Sequence, residues 1–364
     1  MKELTQYDID ERLESLITRA WHDKMQHFPA IDAPDVMHLL NQVGGQAASS
    51  SRGGKRLRAL LLHNTVATFT PDNSPAKHSD EIIDLGCAIE IFQTAALIHD
   101  DIIDAADTRR GQPSAHRALS QFTQNADQGS GLALMLGDLL ATLSIRTAHT
   151  SSSVLAHSPD IFHAFLDMHD QVELGQIMDI SMESLDLTHT DELHSSIRAT
   201  YINKTASYTT IAPLFMGMLA SGHPQAATLA RSFAHSVGEK LGIAFQIHDD
   251  LLDLMSTPQK TGKPVGGDIR EAKRTWVLSH ALRLAQPSDR AFLIDAYMRE
   301  TRSEQDVEQI RSLFISCGAI EASITDVENL WTHAAQEILA ACMSMNVSAQ
   351  DTQNFISFCS RFVG

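Results

Sequence analysis

Apolar residues recur along this chain at helical spacing and almost nowhere with the alternation of a strand. Residues 6–28 carry Ile9, Leu13, Leu16, Ile17 and Ala20, a stripe that predicts an amphipathic helix. The Gly/Ser-rich stretch from Gly44 to Gly54 predicts a loop. It delivers Gly53-Gly54-Lys55-Arg56-Leu57-Arg58 to the start of an apolar helix, Leu60 to Phe69. A turn at Pro71-Asp72-Asn73-Ser74-Pro75 leads into a long apolar run, Ile82 to Ile98. The helix predicted there ends in Thr108-Arg109-Arg110-Gly111-Gln112-Pro113, a loop by its Gly and Pro. Helical periodicity returns over 131–148, 160–182 and 191–211, the last ending before Pro213, and again from Pro224 to Met255. Ser256 to Gly267, with Gly-Lys and Gly-Gly pairs and two prolines, predicts an exposed loop. Residues 271–361 predict four or five amphipathic helices with Gly318 as a break. There is no convincing strand, low-complexity tract or inter-domain linker. The pattern predicts an all-α fold, one large helical domain over 1–364.

Composition narrows the possibilities. A chain of 364 residues with 43% hydrophobic content can bury a large core. No stretch reaches the roughly 18 uninterrupted apolar residues that a membrane span needs, so none is expected. Met1-Lys2-Glu3-Leu4-Thr5 puts an acidic residue where a signal peptide would be apolar. Cys87, Cys317, Cys342 and Cys359 show no CxxC spacing, which fits reduced thiols and a cytoplasmic location. The net charge of −17 argues against nucleic acid and against a polybasic membrane anchor. Basic residues that cluster against this background are therefore informative.

Two short stretches are near-copies: His99-Asp100-Asp101-Ile102-Ile103-Asp104 and His248-Asp249-Asp250-Leu251-Leu252-Asp253. Positions i and i+4 lie only ~40° apart around a helix. Asp100 and Asp104 therefore share one face, and so do Asp249 and Asp253. One such motif alone could be an acidic helix end facing water. Two copies with the same order point to paired walls of a metal–phosphate site, because facing carboxylates repel without a cation between them. Hard oxygen ligands suit Mg²⁺, which completes its shell with water and substrate phosphates.

Gly53-Gly54-Lys55-x-x-Arg58 puts two cations one turn apart after a flexible glycine pair, a suitable cradle for a diphosphate. It is not a Walker loop: Ser49 stands at the first glycine position, Arg56 replaces the Ser/Thr, and no strand precedes it. Arg109-Arg110 lies five residues beyond Asp104, and guanidinium forks match phosphate oxygens; the same pair would also suit an ordinary helix C-terminus. Lys204-Thr205 sits in an apolar helix, and Lys263 and Lys273 lie in and after the Gly-rich loop. Gln93 and Gln246 fall ~20° and ~60° from their carboxylate faces. Taken singly, these lysines and glutamines also fit plain surface or satisfied core positions. His99 and His248, at −1 from each first Asp, point ~100° away from that face and read as structural.

These elements together resemble the trans-isoprenyl diphosphate synthase family over nearly the whole chain. The motifs that match are Asp100–Asp104, Asp249–Asp253, Gly53 to Arg58, Arg109-Arg110, Lys204-Thr205, Phe245 to Asp250 and Gly262 to Asp268. Ala59 stands where the family usually has Pro, and the C-terminus, Ser360 to Gly364, is less basic than in many members. The resemblance implies an isoprenoid-synthase helical bundle with a central cavity, working as a homodimer. It implies a head-to-tail prenyl transfer between isopentenyl diphosphate and an allylic diphosphate. Asp100, Asp104, Asp249 and Asp253 would hold three Mg²⁺ on the allylic diphosphate. Arg109, Lys204, Gln246 and Lys263 would assist, with Thr205 and Lys273. Lys55, Arg58, Gln93 and Arg110 would fix isopentenyl diphosphate, and the loop 256–267 would act as a lid. Ala95 and Ala96 leave open the positions where fifteen-carbon synthases often place bulk, and Phe92 lies one turn further back. A floor at Phe92 implies a twenty-carbon product, geranylgeranyl diphosphate, with farnesyl or longer products as alternatives. A class I terpene cyclase, a non-catalytic synthase subunit and a His-Asp phosphohydrolase are the rival readings.

Overall fold

A computed structural model describes residues 4–27, 33–71, 80–255 and 266–364. The chain is all-α. The helices are α1 (Gln6–His27), α2 (Pro34–Ser51), α3 (Leu57–Phe69), α4 (Asp80–Ile103), α5 (Ala115–Thr123), α6 (Ala126–Ser152), α7 (Ser158–Met182) and α8 (Thr190–Thr200). A π-helical stretch, Tyr201–Ile211, leads into α9 (Ala212–Ala220) and α10 (Ala226–Met255). After the short α11 (Gly267–Arg270) come α12 (Trp276–Leu284), α13 (Pro287–Met298), α14 (Glu304–Ser316), α15 (Ala319–Ser344) and α16 (Ala349–Cys359). Strands β1 (Thr108–Arg109) and β2 (Gln112–Pro113) form a two-rung antiparallel hairpin, with Arg110 and Gly111 at positive φ in its turn.

The contacts group the chain into two compact units, Met1–Phe165 with Met216–Pro224, and Leu166–Phe215 with Gln225–Gly364. In the first, α4 is buried nearly all round, through Ile82, Leu85, Ile89, Ile91, Phe92, Ala95 and Ile98. It packs on α6, α3 and α1. Glycines set the closest approaches: a Cβ on Gly137 would lie 2.2 Å from His99 Nε2, and one on Gly86 would lie 3.1 Å from Ala59. In the second unit α10 packs against α15, the π-helical stretch and α12. Its core joins Ile243, Ile247 and Leu251 to Trp276, Leu278, Leu282 and Phe314. Caps close several helices there, among them the reciprocal Ser303–Asp306 box on α14. Gly318, at φ 83°, separates α14 from α15 as predicted.

Two predicted elements differ. The Gly44 to Gly54 stretch is helical as far as Ser51. Gly44 is there for space, since a Cβ would lie 2.3 Å from the Trp21 indole nitrogen. The helix expected to stop before Pro213 instead widens to π geometry at Tyr201–Ile211 and runs on through the proline. Side chains also bond carbonyls of this stretch: Ser207 Oγ donates to Asn203 O (2.5 Å) and Thr210 Oγ1 to Ala206 O (3.1 Å). The turn at 72–75 and the loop positions 256–265 lie outside the described residues. By length and composition alone, α4 and α6 are apolar enough to cross a membrane, with 67% and 39% of their most apolar windows buried.

Candidate active site

In the first unit, the end of α4 places Asp100 and Asp104 one turn apart, with the Asp104 amide bonded to the Asp100 carbonyl (2.8 Å). Asp101 turns the other way and is buried, 2% exposed. Arg109, delivered by β1, grips Asp101 (2.5 Å) and reaches Asp100 Oδ2 at 3.4 Å. Asp101 thus positions the arginine that flanks the acidic pair. His99 has the structural role read from its offset: its Nε2 lies 3.3 Å from the Leu134 carbonyl and rests over Gly137.

The Gly53-Gly54 pair lies under Arg110. That guanidinium donates to the Arg52 carbonyl (2.7 Å) and would be 3.1 Å from a Cβ on Gly54. Arg56 is in the left-handed region at φ 52° and is buried, held by Asp10 (2.6 Å), Glu90 (3.4 Å) and the Ser51 carbonyl. Arg58, also buried, donates through Nη1 to the Gln93 amide oxygen (2.8 Å), whose nitrogen donates to Glu90 (3.1 Å). Lys55 is exposed beside them. Of the residues assigned to isopentenyl diphosphate, Arg58 and Gln93 are in direct contact. Arg110 lies on the glycine pair that precedes Lys55. Glu90, absent from the sequence reading, organises this corner. Its Oε1 accepts from the Ala59 N–H (3.3 Å), a bond that a proline at position 59 could not make. Desolvation, then the like charge of Arg56 and further those of Arg109 and Arg58, press the Arg110 pKa below its ordinary value, while Glu90 acts the other way. Crowded guanidinium groups of this kind favour an anion.

In the second unit the same alternation recurs. Asp249 is exposed at the end of α10, while Asp250 is buried. Asp250 accepts from Tyr201 OH and from Gln246 Nε2 (2.9 Å), and Gln246 in turn accepts from Thr205 Oγ1 (2.8 Å). Asp253 accepts from the backbone N–H groups of Gly267 (3.2 Å) and Asp268 (3.0 Å), which leaves lone pairs on its oxygens for a cation. Burial pushes the Asp250 carboxyl up to about 7, against the hydrogen bonds of Tyr201 and Gln246 that hold it down. Burial likewise raises Asp268, with the charge of Asp250 adding to it, and raises Asp253 against its two backbone bonds. Lys273 opposes these shifts from 3.9 Å off Asp268, and also pairs with Glu271 (2.9 Å). Lys204, in the π-helical stretch, is held by Asp179 of α7 at 2.5 Å. Nothing in the residue pattern singled out Asp179. Its only sequence signal is Gly175 one turn earlier, where a Cβ would lie 2.3 Å from the Lys204 backbone nitrogen. Gly175→Val is expected to lose about 1–3 kcal/mol of stability by forcing that contact apart. An unchanged urea midpoint would contradict it. His248 lies by the C-terminus, where a Cβ on Gly364 would be 3.4 Å from its ring. Lys263 lies outside the described residues.

Among the described residues, no three His, Cys, Asp or Glu side chains converge to form a metal site by themselves. A pair of carboxylates one turn apart fits an ion that takes its remaining ligands from water and phosphate, as Mg²⁺ does.

A sequence model described as polyprenyl synthetase matches residues 40–314. The geranylgeranyl diphosphate synthase of Sulfolobus acidocaldarius is 29% identical, over 70% of this chain and 71% of its own. The farnesyl pyrophosphate synthase of Candida albicans is 31% identical, over 76% of each chain. Among solved structures, a Corynebacterium glutamicum geranylgeranyl pyrophosphate synthase complexed with isoprenyl diphosphate and magnesium superposes with a TM-score of 0.82 at 26% identity, covering 99% of both chains.

Proposed function

Since the chain belongs to the polyprenyl synthetase family, we propose that it joins isopentenyl diphosphate head-to-tail to an allylic prenyl diphosphate. The observation that carries this reading is the guanidinium cluster over Gly53-Gly54. It supports a second diphosphate site, which a class I terpene cyclase does not need. Both acidic motifs are intact, unlike those of a non-catalytic subunit.

In this reading Asp100, Asp104, Asp249 and Asp253 would hold Mg²⁺, three ions per site, and the ions would supply positive charge for the departing pyrophosphate. Arg109, oriented by Asp101, and Lys204, oriented by Asp179, add fixed positive charge where the allylic C–O bond breaks. Gln246, Thr205 and Lys273 assist on the same side. Lys55, Arg58 and Arg110, with Gln93, hold isopentenyl diphosphate so that its double bond supplies the electron pair of the new C–C bond. The adjacent proton leaves to the released pyrophosphate.

The relatives named above include fifteen- and twenty-carbon synthases. Ala96 is only half-buried, and Phe92, one turn behind it, is fully buried in α4. A floor at Phe92 stops the chain at geranylgeranyl diphosphate, because a helical turn of ~5.4 Å matches about one isoprene unit. Phe92→Ala should lengthen the product; an unchanged carbon number removes Phe92 from the account. The deciding experiment incubates the protein with Mg²⁺, isopentenyl diphosphate and each allylic primer, then measures product length. Hydrocarbon released without isopentenyl diphosphate would instead favour the cyclase. The exposed Leu134, Met135 and Leu139 of α6 support self-association as a homodimer, and the four free cysteines support a cytoplasmic location.

A further inference from the structure

The second unit holds a cleft of about 550 Å³ among α8, α10, α12 and α15, lined by none of the residues assigned to the reaction. This volume lies within the range of roughly 300–1,000 Å³ typical of small-molecule sites. Apolar surface dominates it, from Ile243, Trp276 and Leu330, with the imidazoles of His235 and His333 also in its walls. Its charged side chains already have partners. Arg198 lies 3.4 Å from Glu239, Lys240 lies 3.0 Å from Glu337, and Asp326 accepts from Trp276 and His280. A charged ligand would have to break one of these pairs. An uncharged ring would gain from the indole and the aliphatic wall without doing so.

Trp276 also does something outside the cleft. Its indole Nε1 donates to Asp326 Oδ2 (2.8 Å), the oxygen that His280 Nε2 approaches at 2.8 Å, and the His194 ring lies 4.4 Å from it, centroid to centroid. Its backbone N–H donates to Tyr201 OH (3.1 Å), and Tyr201 donates to Asp250. From Asp250 the row continues through Gln246 to Thr205, the neighbour of Lys204. One residue therefore belongs both to the cleft wall and to the hydrogen-bonded support of the second acidic motif.

We propose that this cleft is a regulatory site for a small uncharged aromatic ring, and that Trp276 and Tyr201 carry its occupancy to Asp250. Coupling requires only that a bound ring shift Trp276, and with it the backbone N–H that holds Tyr201 OH. The test uses the full chain without substrates, so its outcome is independent of the proposed catalytic activity. Indole is the probe, and indole-3-acetate its charged counterpart. Calorimetry should show saturable indole binding at one site, with the acetate bound at least about tenfold more weakly, near 1.4 kcal/mol. Asn329→Trp, which fills the cleft from the exposed side of α15, should abolish the indole heat while keeping the thermal midpoint. Indole should change amide hydrogen exchange over 246–253 in the wild type. Tyr201→Phe should keep indole binding and lose that change. Absence of saturable heat, binding untouched by Asn329→Trp, or an exchange response preserved in Tyr201→Phe would each overturn the proposal.

Discussion

Replacing Asp100 with Ala is expected to lower kcat/KM by at least about a thousandfold, near 4 kcal/mol of barrier. The carboxylate is half of the pair presented by the last turn of α4, and its Oδ2 is 3.4 Å from Arg109. In the proposed reading its loss removes a hard oxygen ligand, and it also takes from Arg109 a carboxylate oxygen 3.4 Å away. Asp107, exposed three residues beyond the motif and paired with Arg117 at 2.8 Å, is the internal control. Asp107→Ala should leave turnover within about twofold, because a pair this exposed contributes at most ~1 kcal/mol to stability. Initial rates at saturating Mg²⁺ compare the two. Near-normal turnover in Asp100→Ala would remove the acidic pair from the chemistry.

The fold was legible wherever a helix is amphipathic or apolar enough to announce its period, as α4 and α10 do. It was illegible where a residue serves a neighbour distant in sequence. Gly44 looks like loop material until Trp21 is found against it. Pro213 looks like a stop until the π register has already displaced the hydrogen-bonding pattern it would have broken. The site divides in the same way. As candidate metal ligands, Asp100, Asp104, Asp249 and Asp253 follow from their repeated spacing. The middle aspartates were the readable omission: the ~100° step that turns His99 away from the carboxylate face turns Asp101 away in the opposite sense, into the protein. There it is buried and takes Arg109, as Asp250 takes Tyr201 and Gln246. Glu90 and Asp179 carried no such signal. An acidic residue inside an apolar helix is ambiguous until its cation is placed, and Arg56 and Lys204 lie 34 and 25 residues away.

Arg58→Ala separates the two halves of the reaction. Arg58 is 7% exposed, and its Nη1 is committed to Gln93 at 2.8 Å, so its guanidinium is already oriented before any substrate arrives. Removing it leaves the carboxylate pair of α4 untouched and deletes one fork of the cationic corner. A charge-assisted hydrogen bond contributes roughly 1.5–3 kcal/mol. KM for isopentenyl diphosphate should therefore rise about ten- to a hundredfold, while KM for the allylic primer changes little. Arg58→Lys should recover only part of this, because an ammonium keeps the charge but cannot make two parallel bonds to a phosphate. Equal rises in both KM values would mean that Arg58 serves the fold and not one diphosphate. Destabilisation through Gln93 and Glu90 is read separately from the urea midpoint, and a variant that folds normally yet loses isopentenyl diphosphate alone places the second substrate at the Gly53-Gly54 corner.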